Sequence, residues 1–358
     1  MSSEPTATPR IPVPLVSGRV QFISLGLLLA IAQFWRGQPI PYLGAVGLSA
    51  GAGALVVPWL QRLKAGQFIR EDGPQSHLKK AGTPTMGGLF AVPAGVVVAI
   101  AAAPGSAPVW AATFATLAYG AIGWLDDWQI LRYRNNKGIS PQLKLRLQFG
   151  TALLVCAWAI WQFGWSGSLT TLALPLGLSL PLGWLFWPLA LFVFAAESNA
   201  TNLTDGLDGL AAGTGAIVLT GLGLLLQPTH PDLASFCAAL AGAYIGFLAH
   251  NHHKARVFMG DTGSLALGAA LAVVGILGNC LWALLISGGL FLWESLSVIL
   301  QVSWFKATKG ADGQGQRIFR MAPYHHHLEL GGWKERQVVL CFYGITALLT
   351  ALMLWLTR

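Results

Sequence analysis

Apolar residues fall in long runs separated by polar connections. The runs lie near residues 20–35, 40–60, 87–103, 109–125, 147–163, 182–197, 209–226, 234–250, 264–279, 282–302 and 338–356. A helix needs roughly 20 mostly apolar residues to cross a bilayer. The pattern predicts an all-α polytopic transmembrane helical bundle. The first run is short, so it either crosses or forms a re-entrant or interfacial segment. Residues 1–39 read as an N-terminal tail with this extra membrane segment, and residues 40–358 as one membrane domain. Segment 164–181 carries no charge and alternates Ser/Thr with apolar residues, which predicts a hairpin resting on the membrane.

The connections are of two kinds. Those at 61–86, 126–146, 198–208, 251–263 and 303–337 are long and polar, and alternate with mostly short ones. Of the 22 Lys+Arg, 20 lie in the long set or the N-terminal tail, and only Arg36 and Arg358 fall on the other side. Basic residues accumulate in cytoplasmic loops. The long loops and the N-terminus are therefore expected inside and the C-terminus outside. Acids follow the same side, with 11 of the 14 in or bordering the long loops, as do seven of the eight His. Topology does not require that, so the polar face reads as an active site.

Composition agrees. Of 358 residues, 54% are hydrophobic and 10% charged, against about 25% charged in a soluble protein. The net charge of +8 would suggest nucleic acid on a soluble chain. Here the charges sit where topology puts them, and no nucleic-acid partner is expected. Cys156, Cys237, Cys280 and Cys341 lie singly in apolar runs and read as packing residues. A cleavable leader ending near Ala30-Ile31-Ala32 is the weaker reading, because its lead-in is long and another apolar run follows at once.

Five polar clusters carry candidate chemistry. Asp126 and Asp127 close an apolar run side by side; their repulsion is relieved by one divalent cation, or by hydration at a plain helix end. Residues 197–209 place Asn202, Asp205 and Asp208 in a segment without Lys or Arg. Two glycines there allow close backbone approach to a ligand. In 251–264, Asp261 precedes an apolar run, so a carboxylate and helix N-terminal N–H groups suit a metal–phosphate complex. Phe258 either stacks on a base or anchors the interface. His325, His326 and His327 stand adjacent, unlike the converging spacing of zinc sites, and suit hydrogen bonding to phosphate or sugar. Lys80 and Thr85, in the Lys/Gly/Thr-rich segment 77–88, form an anion clamp or a set of surface lysines. Glu294 lies within a span, where an ionisable group is functional or paired. A hydrogen bond to a neighbouring helix is preferred for it over lining a lipid groove.

These clusters offer carboxylates and lysines but no P-loop and no activated Ser or Cys. Phosphoryl transfer depends mainly on positioning and charge neutralisation. Transporters instead bury charge near the midplane and show repeats. That rival, and a non-catalytic scaffold, fit less well.

The motifs at 79–88, 126–127, 202–209, 258–264 and 321–329 closely resemble the bacterial phospho-N-acetylmuramoyl-pentapeptide transferase family, in order and spacing, from about residue 40 to the end. The triple-His segment separates this branch from related polyprenyl-phosphate N-acetylhexosamine-1-phosphate transferases, the nearest rival. The resemblance implies about ten spans, to which 20–35 would add one. It implies transfer of phospho-N-acetylmuramoyl-pentapeptide from UDP-N-acetylmuramoyl-pentapeptide to undecaprenyl phosphate, in the bacterial cytoplasmic (inner) membrane, with Mg²⁺ (magnesium) as cofactor and a homodimer as a plausible assembly.

By the same resemblance, Asp261 is the Mg²⁺ ligand, and Asp126 helps deprotonate or orient the lipid phosphate with Asp127 beside it. Asn202, Asp205 and Asp208 face the nucleotide sugar, and Phe258 stacks on uracil. Lys80 and Thr85 contact the uridine-diphosphate side. His325 and His326, with His327 beside them, contact donor or phosphates. Direct attack of the lipid phosphate on the donor is favoured, with a phospho-aspartate route left open. The family often has Lys three residues after the second Asp of the pair, where this chain has Ile130. That role would be absent or pass to Arg132, Arg134 or Lys137.

Overall fold

The structure, a computed structural model, describes residues 16–63, 80, 82–133, 138–165, 167–310 and 313–357. Each apolar run becomes helical. The helices are α1 (Gly18–Arg36), α2 (Pro39–Arg62), α3 (Gly88–Ala102), α4 (Ala107–Tyr133), α5 (Pro141–Phe163), α6 (Phe186–Thr204), α7 (Leu210–Leu226), α8 (Pro231–Asn251), α9 (Gly260–Leu277), α10 (Leu281–Ser287), α11 (Gly289–Ala307), α12 (Tyr324–Leu330) and α13 (Glu335–Trp355). Six of these, α1, α2, α5, α8, α9 and α13, are long and apolar enough to cross a membrane. A seventh is added if α10 and α11, bent by 71° at their junction, count as one span. Polar side chains start several of them. The hydroxyl of Ser17 accepts from Val20 N and that of Ser140 from Leu143 N, satisfying amides that a helix start leaves open. Proline at the first positions of α2, α5 and α8 suits a site needing no donor.

Burial sorts the helices into layers. α8 and α9 are buried almost all round, while α1, α2 and α5 keep broad apolar faces outward. A helix apolar on every side belongs in the interior of a membrane bundle. α8 packs against α2, α3 and α7, and α9 against α4 and α6. The outward residues of α1, such as Leu27, Leu28, Ile31 and Trp35, are those a lipid-facing surface tolerates.

The ends of α1 fix two faces. At its start, Gln21 donates to the carbonyl of Arg336 (3.0 Å) and Arg336 donates to the carbonyl of Val16 (3.2 Å). Just past its end, Gln38 donates to Gln227 Oε1 (2.9 Å), beyond α7. α1 thus runs as one continuous helix from face to face. Alternation of the later helices brings the polar connections to the face where α1 begins. The segment between α5 and α6 lies on the other face and forms the expected hairpin. Strand β1 (Thr171–Ala173) pairs antiparallel with β2 (Ser179–Pro181), and Asn279 holds β1 by donating to the Thr171 carbonyl (2.8 Å).

Two contacts between helices set the position of the first turn of α9. An added Cβ at Gly123 of α4 would lie 2.1 Å from the Asp261 carbonyl oxygen, and one at Gly88 would lie 2.3 Å from the Gly263 nitrogen. Only glycine lets α3 and α4 approach that turn this closely.

Candidate active site

α4 runs past its apolar part to Tyr133, so Asp126 and Asp127 project from a continuing helix beside the start of α9. The two carboxylates do different things. Asp127 accepts from Asp261 N (3.2 Å), Thr262 N (3.0 Å) and Thr262 Oγ1 (2.7 Å). It caps α9 from a neighbouring helix, where an anion is favoured by the helix dipole. Asp126 accepts from Ile139 N (3.0 Å) and stands close enough to Asp261 to feel its charge.

Asp261, in the first turn of α9, gathers the rest. Its Oδ1 accepts from Asn202 Nδ2 (2.7 Å) and its Oδ2 pairs with Lys144 Nζ (2.5 Å). Asn202 is itself held by Ser264 Oγ (2.9 Å). Asp205, at the end of α6, is pushed well above the usual carboxylate range. Burial is the main cause, followed by the charges of Asp261, Asp127 and Asp208. Four carboxylates therefore crowd one lysine.

A second group lies along the same segment. Lys80 Nζ pairs with Asp208 (2.7 Å) and with Glu335 (2.6 Å), and His253 Nδ1 stands 3.3 Å from both carboxylates. Glu335 also accepts from Asp208 N (2.7 Å). Burial opposes ionisation of Asp208, but the neighbouring His253 and Lys80 outweigh it and hold the carboxyl below its usual range. Asp208 and Glu335 in turn raise His253 to about 9.

The ligand atoms of Asp208, His253 and Glu335 lie within 4.8 Å of one another, as a metal site would require. Charge decides against it. Two carboxylates already face an ammonium and an imidazolium, whereas the Asp261 group carries a surplus of negative charge on hard oxygen donors. The Asp261 group offers the kind of donor that magnesium favours, carboxylate oxygens able to act together with substrate phosphates.

The remaining residues border these groups. Thr85 is buried beside Gly260. Half-buried Phe258 is fixed by its backbone, which donates to the Pro84 carbonyl (2.8 Å) and accepts from Gly87 N (2.8 Å). The three histidines face three ways. His325 is fully buried with Nδ1 2.7 Å from Glu294, His326 pairs with Glu329 (2.9 Å), and His327 Nδ1 accepts from Arg320 N (3.1 Å). Burial and the Arg320 charge hold His327 below its usual range.

Sequence reasoning missed Lys144 and Glu335. The lysine at the aspartates comes from the start of α5, one turn past its Ser140 cap. Arg132 lies 5.7 Å from the Tyr133 ring, and Arg134, Lys137, His77 and Lys79 fall outside the described residues. For Lys144 the available signal was its distance of one helical turn from a Ser-Pro helix start.

Fold and site together define a polytopic integral membrane protein that gathers buried carboxylates and their lysine partners at one face. Residues 109–279 match the Glycosyl transferase family 4, and residues 80–90 match phospho-N-acetylmuramoyl-pentapeptide-transferase signature 1. Proteins named phospho-N-acetylmuramoyl-pentapeptide-transferase are similar over nearly the whole chain. The one from Synechococcus elongatus is 63% identical over 94% of this chain and 95% of its own length. The one from Nostoc sp. is 59% identical over 89% and 87%, and that from Microcystis aeruginosa 55% over 92% and 93%. The chain belongs to the phospho-N-acetylmuramoyl-pentapeptide-transferase family.

Proposed function

We propose that this enzyme moves phospho-N-acetylmuramoyl-pentapeptide from its UDP donor to undecaprenyl phosphate, releasing UMP and forming lipid I, at the cytoplasmic side of the bacterial inner membrane. The observation that carries this reading is the convergence of Asp126, Asp205 and Asp261 with Lys144 and Asn202 at the face that holds most of the basic residues. An oxygen of the lipid phosphate attacks the donor's β-phosphorus. The bond from that phosphorus to the bridging oxygen breaks, and UMP leaves with the electron pair.

Asp261 would hold magnesium, with Asp126 alongside. When bound, the ion supplies neutralisation of the diphosphate charge. The chain's own groups do the rest. Asp126 orients the lipid phosphate and takes any proton it carries. Lys144 offsets the surplus negative charge beside Asp261, and Asn202 fixes the orientation of that carboxylate. Asp127 sets the position of Asp261 by capping α9. Lys80, held between Asp208 and Glu335, lies where it can exchange a carboxylate for a donor phosphate oxygen, and Phe258 offers a ring face to the base.

The test is UMP release by purified protein in the presence of magnesium, with the pentapeptide donor and with UDP-N-acetylglucosamine. Wild type is expected to use the first donor, and Asp261→Asn to lose at least ~10²-fold in rate. Activity surviving that substitution removes Asp261 from the metal role. Preference for UDP-N-acetylglucosamine transfers the chain to the rival reaction.

A further inference from the structure

Glu294 and His325 form a closed pair that the proposed reaction does not yet use. Both side chains are fully buried, with Nδ1 and Oε2 2.7 Å apart. A carboxylate can only accept, so Nδ1 carries the proton and donates it. That leaves Nε2 as the functional end of the ring. It is buried without a hydrogen-bond partner, and so is Glu294 Oε1. Leaving a buried polar atom unpaired is costly, and such an atom calls for an explanation.

The surroundings of Nε2 supply one. An added Cβ at Gly206 would lie 2.2 Å from it. The ring is thus aimed at the turn between Asp205 and Asp208, and Gly206 carries no side chain to block it. The Glu294 backbone sits in α11, whose outward face carries Trp293, Leu296 and Ile299. His325 sits in α12, and the turn joins α6 to α7. One hydrogen-bonded pair therefore joins α11 to α12 and sets the ring against the α6–α7 turn, where the two charged groups of the site meet.

We propose that Glu294 is a positioning residue for the donor: it fixes the tautomer and tilt of His325 so that Nε2 is reserved for the Asp205–Asp208 turn when the nucleotide-sugar diphosphate occupies it. At metal sites, removing an outer partner that orients a histidine costs roughly 10–100-fold, and the same restraint on ring orientation acts on His325. The inference rests on the transferase reading, and one experiment separates the two.

Full-length wild type, Glu294→Ala, Glu294→Gln, His325→Ala and the Glu294→Ala/His325→Ala double variant are assayed for UMP release with donor and lipid phosphate varied in turn, alongside thermal unfolding. Expected for Glu294→Ala is a rise of about tenfold or more in KM for the UDP donor, the scale on which outer partners act. KM for the lipid phosphate should stay within about twofold, and the double variant should be no worse than the worse single one. Glu294→Gln keeps the volume and one acceptor, so it should fold and show a smaller donor-KM rise. A purely structural Glu294 would lower the melting temperature and the amount of active enzyme while leaving both KM values alone. That result, or additive effects in the double variant, overturns the proposal. Wild type that releases no UMP overturns the transferase reading instead.

Discussion

Asp127 holds the first turn of α9 in place from a neighbouring helix. All three of its hydrogen bonds go to the first turn of α9. Removing them leaves buried amides unpaired, which costs roughly 1–3 kcal/mol. Asp127→Ala is expected to lower thermal stability by that amount in a melting experiment, with Asp127→Asn milder because it keeps an acceptor. Asp261→Asn removes repulsion from a crowded acidic group, so its melting point without magnesium should equal or exceed that of wild type. His253 gives a pH signature. Its folded value, about 9, lies above its ordinary 6.5. Its contribution is therefore complete below pH 6.5 and lost as pH rises through 9. Asp208 is shifted the other way, so its contribution holds above the ordinary carboxylate range and fades as pH falls through its lowered value. Melting temperature against pH should decline for wild type between 6.5 and 9, and this decline should flatten in His253→Gln. An identical decline in both would remove His253 from the network.

Among the elements, the contact between α4 and α9 sets how close the aspartates come, and glycine decides that contact. Gly123→Ala would force a methyl group onto the Asp261 backbone, and overpacking of this kind costs about 1–3 kcal/mol. The melting point and UMP release should fall together. Gly47→Ala in α2, with nothing within 4 Å of the added methyl, should be neutral or stabilising by up to about 1 kcal/mol. This contrast reflects what the sequence could and could not say. Hydrophobic run length predicted each crossing helix, because lipid constrains the backbone so strongly. The motifs drew attention to Asp126, Asp261 and Lys80 because charge beside a span needs a cause, and to the neutral Asn202, which meets Asp261 in the structure, through the resemblance alone. The short helix α12 was illegible, because seven residues with three histidines show no period. The pairings of Lys144 and Glu335 were illegible too, since their partners Asp261 and Asp208 lie more than 100 positions away in the chain, and for Lys144 only its place near a helix start could be read.

For the molecule as a whole, the decisive feature is that every charged group of the site lies at one face of a bundle entered by α1 from that same face. Gly18 packs against His253, Phe22 stacks on His252 at 5.8 Å, and Arg336 holds Val16. The start of α1 is thereby tied to the group formed by Lys80, Asp208, His253 and Glu335. α13 starts beside Val16 and so runs from the face where α1 begins to the opposite one, in keeping with the 20-to-2 division of basic residues. Single cysteines introduced at Ser17, Lys254 and Gly177, on a background with Cys341→Ser, test this arrangement with a membrane-impermeant thiol reagent. Ser17 and Lys254 should label only in inside-out vesicles, and Gly177, in the hairpin, only in right-side-out ones. If Ser17 labels together with Gly177, α1 does not cross as described. The contacts that tie it to His252, His253 and Arg336 would then fail with it, whereas the aspartate site between α4 and α9 would stand, because α1 contributes none of its ligands.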